Sequence, residues 1–211
     1  MKGVLRGIKM FFTQDKILVR KHSKTPGLPL DSRKLELARV LNDVKSLALL
    51  TSNAGRADFK ETWFGDSMQG TGSSDVDAGF RKIYNFLNVL EQFTFTSANN
   101  DPNSIASFPQ QDMHKVAGGM PLASLQSKYK RSGFLYIGPK YATVSYEEKV
   151  LTFVHEFTHM TLGTGDVSVG GKDMYGETNC TNLAKTSPDL AFTNAENWAL
   201  YSLSYWDSWR H

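Results

Sequence analysis

The stretch 150–166, VLTFVHEFTHMTLGTGD, constrains this chain more than any other. His155 and His159 stand four residues apart, so on a helix they project from one face about one turn apart and can bind the same metal ion. Glu156 follows the first histidine. Its carboxylate would sit beside that ion without having to ligate it, which suits it to take a proton from an attacking water. Val150, Leu151, Val154, Phe157 and Thr158 give the run a mostly apolar face, and Gly163 is placed to stop the helix. A buried helix carrying HExxH predicts a zinc hydrolase. The plainer reading is an amphipathic helix whose histidines are capped by hydrogen bonds in the core.

Zinc in a catalytic site takes three protein ligands and keeps one position open, so the histidine pair needs a third partner. His22, His114 and His211 lie in no promising context, which leaves the carboxylates of Asp166, Asp173 and Glu177. Asp166 ends the turn Gly163-Thr164-Gly165-Asp166, whose two glycines let the chain reverse tightly and bring a short carboxylate back towards the histidines. A closed structural zinc site would want four ligands, often cysteines, and Cys180 is the only cysteine.

HEFTH followed by GTGD resembles the aspzincins, the deuterolysin and peptidyl-lysine metalloendopeptidase group, whose mark is HExxH and then GTxD. Tyr175-Gly176, the run Asn194-Ala195-Glu196-Asn197, the triplet Trp63-Phe64-Gly65 and the strand-like Phe134-Leu135-Tyr136-Ile137 are similar to further family elements and occur in the family's order, over residues 35 to 205. The resemblance implies an α+β, zincin-like fold, rich in helix, with a small sheet next to the HExxH helix. It implies a zinc endopeptidase acting on proteins or peptides, with one catalytic Zn2+ held by His155, His159 and Asp166 and with Glu156 as general base. It also implies that Tyr175 donates a hydrogen bond to the oxyanion and that Glu196 lines the pocket for the residue after the scissile bond, favouring lysine. Three departures stand out. The segment VSVGGKDM separates Asp166 from the tyrosine, which leaves Asp173 as a rival ligand; Glu196 replaces a shorter aspartate; and the position three further on, acidic in the lysine-specific members, is Ala199. The alternative function is a catalytically inactive zincin-like binding protein or secreted effector module, against which the intact Glu156 argues.

Nine basic residues against Asp15 and Asp31 give residues 1–34 a charge of +7, while the whole chain carries +3. This predicts a basic N-terminal leader ahead of a metallopeptidase domain over residues 35–211. Such an arm can recruit an acidic partner, a membrane surface or a delivery protein, or can simply be solvated. No arginine-aromatic interleaving points to nucleic acid. At 40% hydrophobic content without a long apolar run, the chain predicts one globular domain and no transmembrane segment. Met10-Phe11-Phe12 is too short for a signal peptide. A single cysteine permits no internal disulfide, which leaves a reducing compartment, export unfolded or by a specialised route, or the mature part of something longer. Small size, the missing signal and the basic leader suit secretion or delivery by a specialised route as a toxin or effector with a cognate inhibitor, and the cytoplasm is the alternative.

The remaining pattern predicts a helix from an Asp31-Ser32 cap to Leu50, a loop over 68–74, and a helix capped by Asp75. It predicts a strand over 93–96 and another over 133–137, the latter as an edge strand beside the zinc helix able to hold an extended substrate. A short helix over 180–185 and a final helix over 191–209 follow. Trp63, Phe64 and the aromatic stripe of the final helix read as packing.

Overall fold

The computed structural model describes residues 12–20, 28–66, 71–97, 103–108 and 132–206. In chain order the elements are β1 (Ile17–Arg20), α1 (Lys34–Ala54), α2 (Ala57–Phe64), α3 (Thr71–Val89), β2 (Gln92–Ser97), β3 (Ala106–Ser107), β4 (Ser132–Ile137) and α4 (Tyr146–Leu162). They are followed by a hairpin of β5 (Ser168–Val169) and β6 (Lys172–Asp173), then α5 (Glu177–Thr186), α6 (Pro188–Thr193) and α7 (Ala195–Leu203). The larger sheet has the order β1-β2-β4-β3. β1 and β4 flank β2 in parallel, and β3 closes the row antiparallel on β4. The fold is thus α+β, helix-rich with a small mixed sheet.

The sheet meets the metal-motif helix α4 through aromatic rings. Phe93 and Phe95 of β2 are fully buried, and their rings lie 5.7 Å from Phe157 and 5.7 Å from Phe153 of α4, respectively. This removes two large apolar side chains of each element from water, worth about 1.5–3 kcal/mol per side chain, and fixes the rotation of α4 about its axis. With Phe153 and Phe157 turned to the sheet, His155, Glu156 and His159 must face elsewhere. The helix starts at a capping box: Ser145 Oγ accepts from the Glu148 N–H at 3.1 Å, and the Glu148 carboxylate accepts from the Ser145 N–H at 2.9 Å. It stops where Gly163 turns left-handed at φ 73°.

Several expectations shift. Residues 133–137 form an interior strand, because Ala106 and Ser107 pair with Ile137 and Tyr136 and take the edge themselves. Asp31 and Ser32 do not cap α1: they sit in a 3-10 turn that runs straight into the helix, and Ser32 Oγ bonds back to the Pro29 carbonyl at 2.9 Å. α3 begins at Thr71, so Asp75 lies inside it; the small polar residues before it are compatible with a first helical turn. The last helix is two helices, broken at Asn194, whose backbone is extended. Phe12 and Ile17, which fall within the basic leader, are fully buried in the same core as α1, and β1 is hydrogen-bonded into the sheet, so residues 12–20 pack as part of the domain that follows. Residues 207–209 of the expected final helix lie outside the described residues. No described helix is long and apolar enough to cross a membrane.

Gly79 of α3 lies against the Trp198 ring of α7. A Cβ there would lie 2.5 Å from Cη2 and Cζ3 of Trp198, a ring already packed against Phe64 and Phe80. Gly79→Ala, which stabilises an ordinary helix interior, is expected here to destabilise by about 1–3 kcal/mol through overpacking, read as a lower urea midpoint at unchanged m-value.

Candidate active site

α4 buries His155, Glu156 and His159, leaving them 7%, 7% and 4% exposed. The two Nε2 atoms face each other at 3.0 Å, and Oδ1 of Asp166 stands 3.0 Å from one and 3.4 Å from the other. Two imidazole nitrogens cannot face each other at that distance without a proton or a cation between them. Three donor atoms spaced in this way match the edges of a tetrahedron around zinc, which for bonds of about 2.0–2.1 Å measure about 3.3 Å. The nitrogen and oxygen donor set also suits zinc. The Glu156 carboxylate lies within 4.8 Å of both histidine donor atoms.

The opposite nitrogens settle which atoms are available. Nδ1 of His159 lies 2.8 Å from the Thr164 carbonyl, which only accepts, so Nδ1 carries the proton and Nε2 is free to ligate. Nδ1 of His155 lies 3.2 Å from Oε2 of Glu196. Glu196 Oε1 accepts from the Gly176 N–H at 3.3 Å. Glu196, for which the resemblance implies a place along the substrate pocket, thus lies against the far side of the His155 ring.

The turn carrying Asp166 is tied to the start of α7 by an isolated parallel bridge. Gly165 N–H donates to the Thr193 carbonyl at 2.9 Å, and Ala195 N–H donates to the Gly165 carbonyl at 3.0 Å. The segment VSVGGKDM then leaves and returns as the β5–β6 hairpin, with Gly170 and Gly171 both at positive φ, as a tight two-residue turn requires. Asn194 closes its neck. Its Oδ1 accepts from the Val167 N–H at 3.2 Å and its Nδ2 donates to the Met174 carbonyl at 3.0 Å, while Met174 N–H donates to Val167 O at 2.8 Å. Tyr175 is thereby returned to the site, its ring stacked on His155 at 5.9 Å. Asp173 is exposed on the hairpin and bonded by Ser168 Oγ, and Glu177 is exposed at the start of α5; neither joins the cluster around the histidines.

Electrostatics follow from these contacts. Burial opposes charge on His155, but Asp166 and Glu196 outweigh it and raise the imidazole to about 10 when no metal is bound. Burial alone would lift the Asp166 carboxyl; the two histidines override it and hold it far below its ordinary range. Burial pushes Glu156 upward, against the opposing pull of the histidines and of the Phe108 N–H, which donates to Oε2 at 2.5 Å. Burial and the neighbouring Asp166 raise the Tyr175 hydroxyl, which stays protonated. Burial pushes the Cys180 thiol up to about 12, and Cys180 does not join the cluster around the histidines. Phe108, Thr164 and Asn194 escaped the sequence reading. The first two act through backbone atoms, which carry no residue signature. Asn194 stood inside the motif run but without an assigned role.

A helix-borne HExxH beneath a mixed sheet, with a carboxylate returned by the following turn, defines a zincin-type zinc metalloendopeptidase. The family model described as lysine-specific metallo-endopeptidase, that of the aspzincins, matches residues 49–203, and the chain belongs to this family. Its cofactor is one zinc ion and its substrates are proteins or peptides. Among solved structures the chain is similar to a zinc peptidase from Grifola frondosa, with a TM-score of 0.54 and 19% identity over 77% of this chain and 89% of that one, a likeness of fold. No curated protein sequence matches it.

Since His155 is held protonated up to about pH 10 in the metal-free protein, loading zinc at pH 8 must displace that proton. Calorimetry in buffers of different ionisation enthalpy should show release of about one proton per ion. Buffer-independent heats would mean that His155 is already neutral.

Proposed function

We propose an endopeptidase in which His155, His159 and Asp166 hold the zinc, Glu156 is the general base and Tyr175 stabilises the oxyanion. The observation that carries this reading is the triangle of donor atoms at 3.0–3.4 Å, with the far nitrogen of each histidine occupied by an acceptor. Bound there, the ion supplies Lewis acidity, polarising the scissile carbonyl and acidifying water. Glu156, made more basic by burial, takes the proton of the attacking water and passes it to the leaving amine. Tyr175, whose hydroxyl keeps its proton, donates to the carbonyl oxygen as it gains charge. β3, the edge strand that leads to Phe108 beside the base, is the element against which an extended substrate can pair.

The finer reading concerns specificity. Lysine after the scissile bond needs a free carboxylate in its pocket. Here both oxygens of Glu196 are engaged and Ala199 is fully buried. We therefore propose cleavage that is not restricted to lysine.

Four variants test the assignment. Glu156→Gln is expected to lower kcat at least about 100-fold while zinc stays bound, and Tyr175→Phe to lower it by about 100-fold at similar KM. Asp166→Ala should strip the metal at low zinc concentrations, whereas Asp173→Ala should retain it. Full activity in Glu156→Gln, or metal loss from the Asp173 variant instead, would reassign the roles. Metal content and turnover of a denatured protein, followed by mass spectrometry, give both readouts.

A further inference from the structure

Glu196 has a geometry that its expected role does not account for. It sits in the first turn of α7, its side chain is 15% exposed, and it reaches across to α4. One oxygen meets Nδ1 of His155 at 3.2 Å and the other meets the Gly176 N–H at 3.3 Å. We propose that Glu196 is a positioning residue, locking the ring of His155 and the Tyr175-Gly176 turn in register with each other, instead of reading the charge of the substrate. The proposal rests on the metal-site reading above.

For Nε2 of His155 to face an ion, Nδ1 must carry the proton, and a buried N–H needs an acceptor. His155 is 7% exposed, and Glu196 provides that acceptor. A carboxylate in this position also makes the imidazole a stronger donor to the metal. Its second oxygen holds the backbone next to Tyr175, whose ring stacks on the same His155. One side chain thus orients a metal-binding ring from behind and fixes the residue lying across its face. Chain length matters. Shortening Glu196 by one methylene draws the carboxylate back by about 1.5 Å, beyond hydrogen-bond reach of Nδ1 unless the helix moves. An aspartate would keep the negative charge near the site yet lose the contact, which separates positioning from charge reading.

The test compares the full chain with Glu196→Gln, Glu196→Asp and Glu196→Ala. Zinc affinity is measured by competition with a chromophoric chelator, and the His155 Nδ1–H signal by NMR of the zinc-loaded, histidine-labelled protein. kcat, KM and the cleavage profile are measured on a denatured protein mixture. Positioning predicts that the Asp and Ala variants lose about 10–100-fold in zinc affinity. It also predicts that their Nδ1–H signal shifts upfield or exchanges away, that kcat falls more than KM changes, and that the share of cuts before lysine stays the same. Glu196→Gln, with one acceptor oxygen for two donors, should lie between these variants and wild type. Being isosteric, it carries the test if the Ala variant does not fold. Zinc affinity within twofold of wild type in both the Asp and Ala variants overturns the proposal. So does a profile in which cuts before lysine vanish in Glu196→Ala and persist in Glu196→Asp. The zinc and NMR measurements need no peptidase activity. If the wild type holds zinc but cuts nothing, the endopeptidase reading fails while Glu196 is still tested; a wild type that takes up no zinc overturns both.

Discussion

Two backbone hydrogen bonds hold the site together: Gly165 N–H to the Thr193 carbonyl and Ala195 N–H to the Gly165 carbonyl. They tie the turn after α4 to the start of α7, elements that lie far apart along the chain. Without this bridge Asp166 would sit on a loop free to swing away from the histidines. With it, the third donor comes from backbone pinned on both sides, and the same few residues bring Asn194 and Glu196 within reach of the hairpin neck and of His155. The extended backbone at Asn194, which interrupts what would otherwise be a continuous terminal helix, is the local conformation that makes the bridge possible.

The rest of the protein acts as a mount for that arrangement. Phe153 and Phe157 anchor α4 to β2, while Trp198 and Tyr201 of α7 pack with Phe64 and Phe80 from α2 and α3. Asn197 ties the same helix to α2 and α5 by donating to the carbonyls of Trp63 at 2.7 Å and Cys180 at 3.0 Å. Rigid packing of this kind holds the donor atoms at fixed spacing.

Much of the site was legible in the sequence because its parts are local. HExxH works through the pitch of one helix, so its spacing nominates His155, Glu156 and His159 together, while Asp166 was preferred to Asp173 by the family resemblance of the turn that carries it. Trp63 and Phe64 were rightly read as packing residues. What the sequence could not show was long-range. The edge of the sheet passed from the stronger strand, 133–137, to the two-residue β3, because edge position depends on pairing partners and not on composition. Phe12 and Ile17 sit among basic residues, and charge counting hid their burial and the strand that Ile17 begins. Glu196 was assigned by analogy with a shorter acid; one extra methylene gives it a reach that no motif encodes.

The β5–β6 hairpin has a further consequence. Its two ends are joined to each other by the Met174 to Val167 hydrogen bond and to Asn194 from outside, so strain or motion in the loop is dissipated at the neck before it reaches Asp166 or Tyr175. In mechanical terms the segment is decoupled from the site it interrupts. Evolution can therefore lengthen, shorten or redecorate it as an interchangeable exposed ornament beside the site, without retuning what the site does.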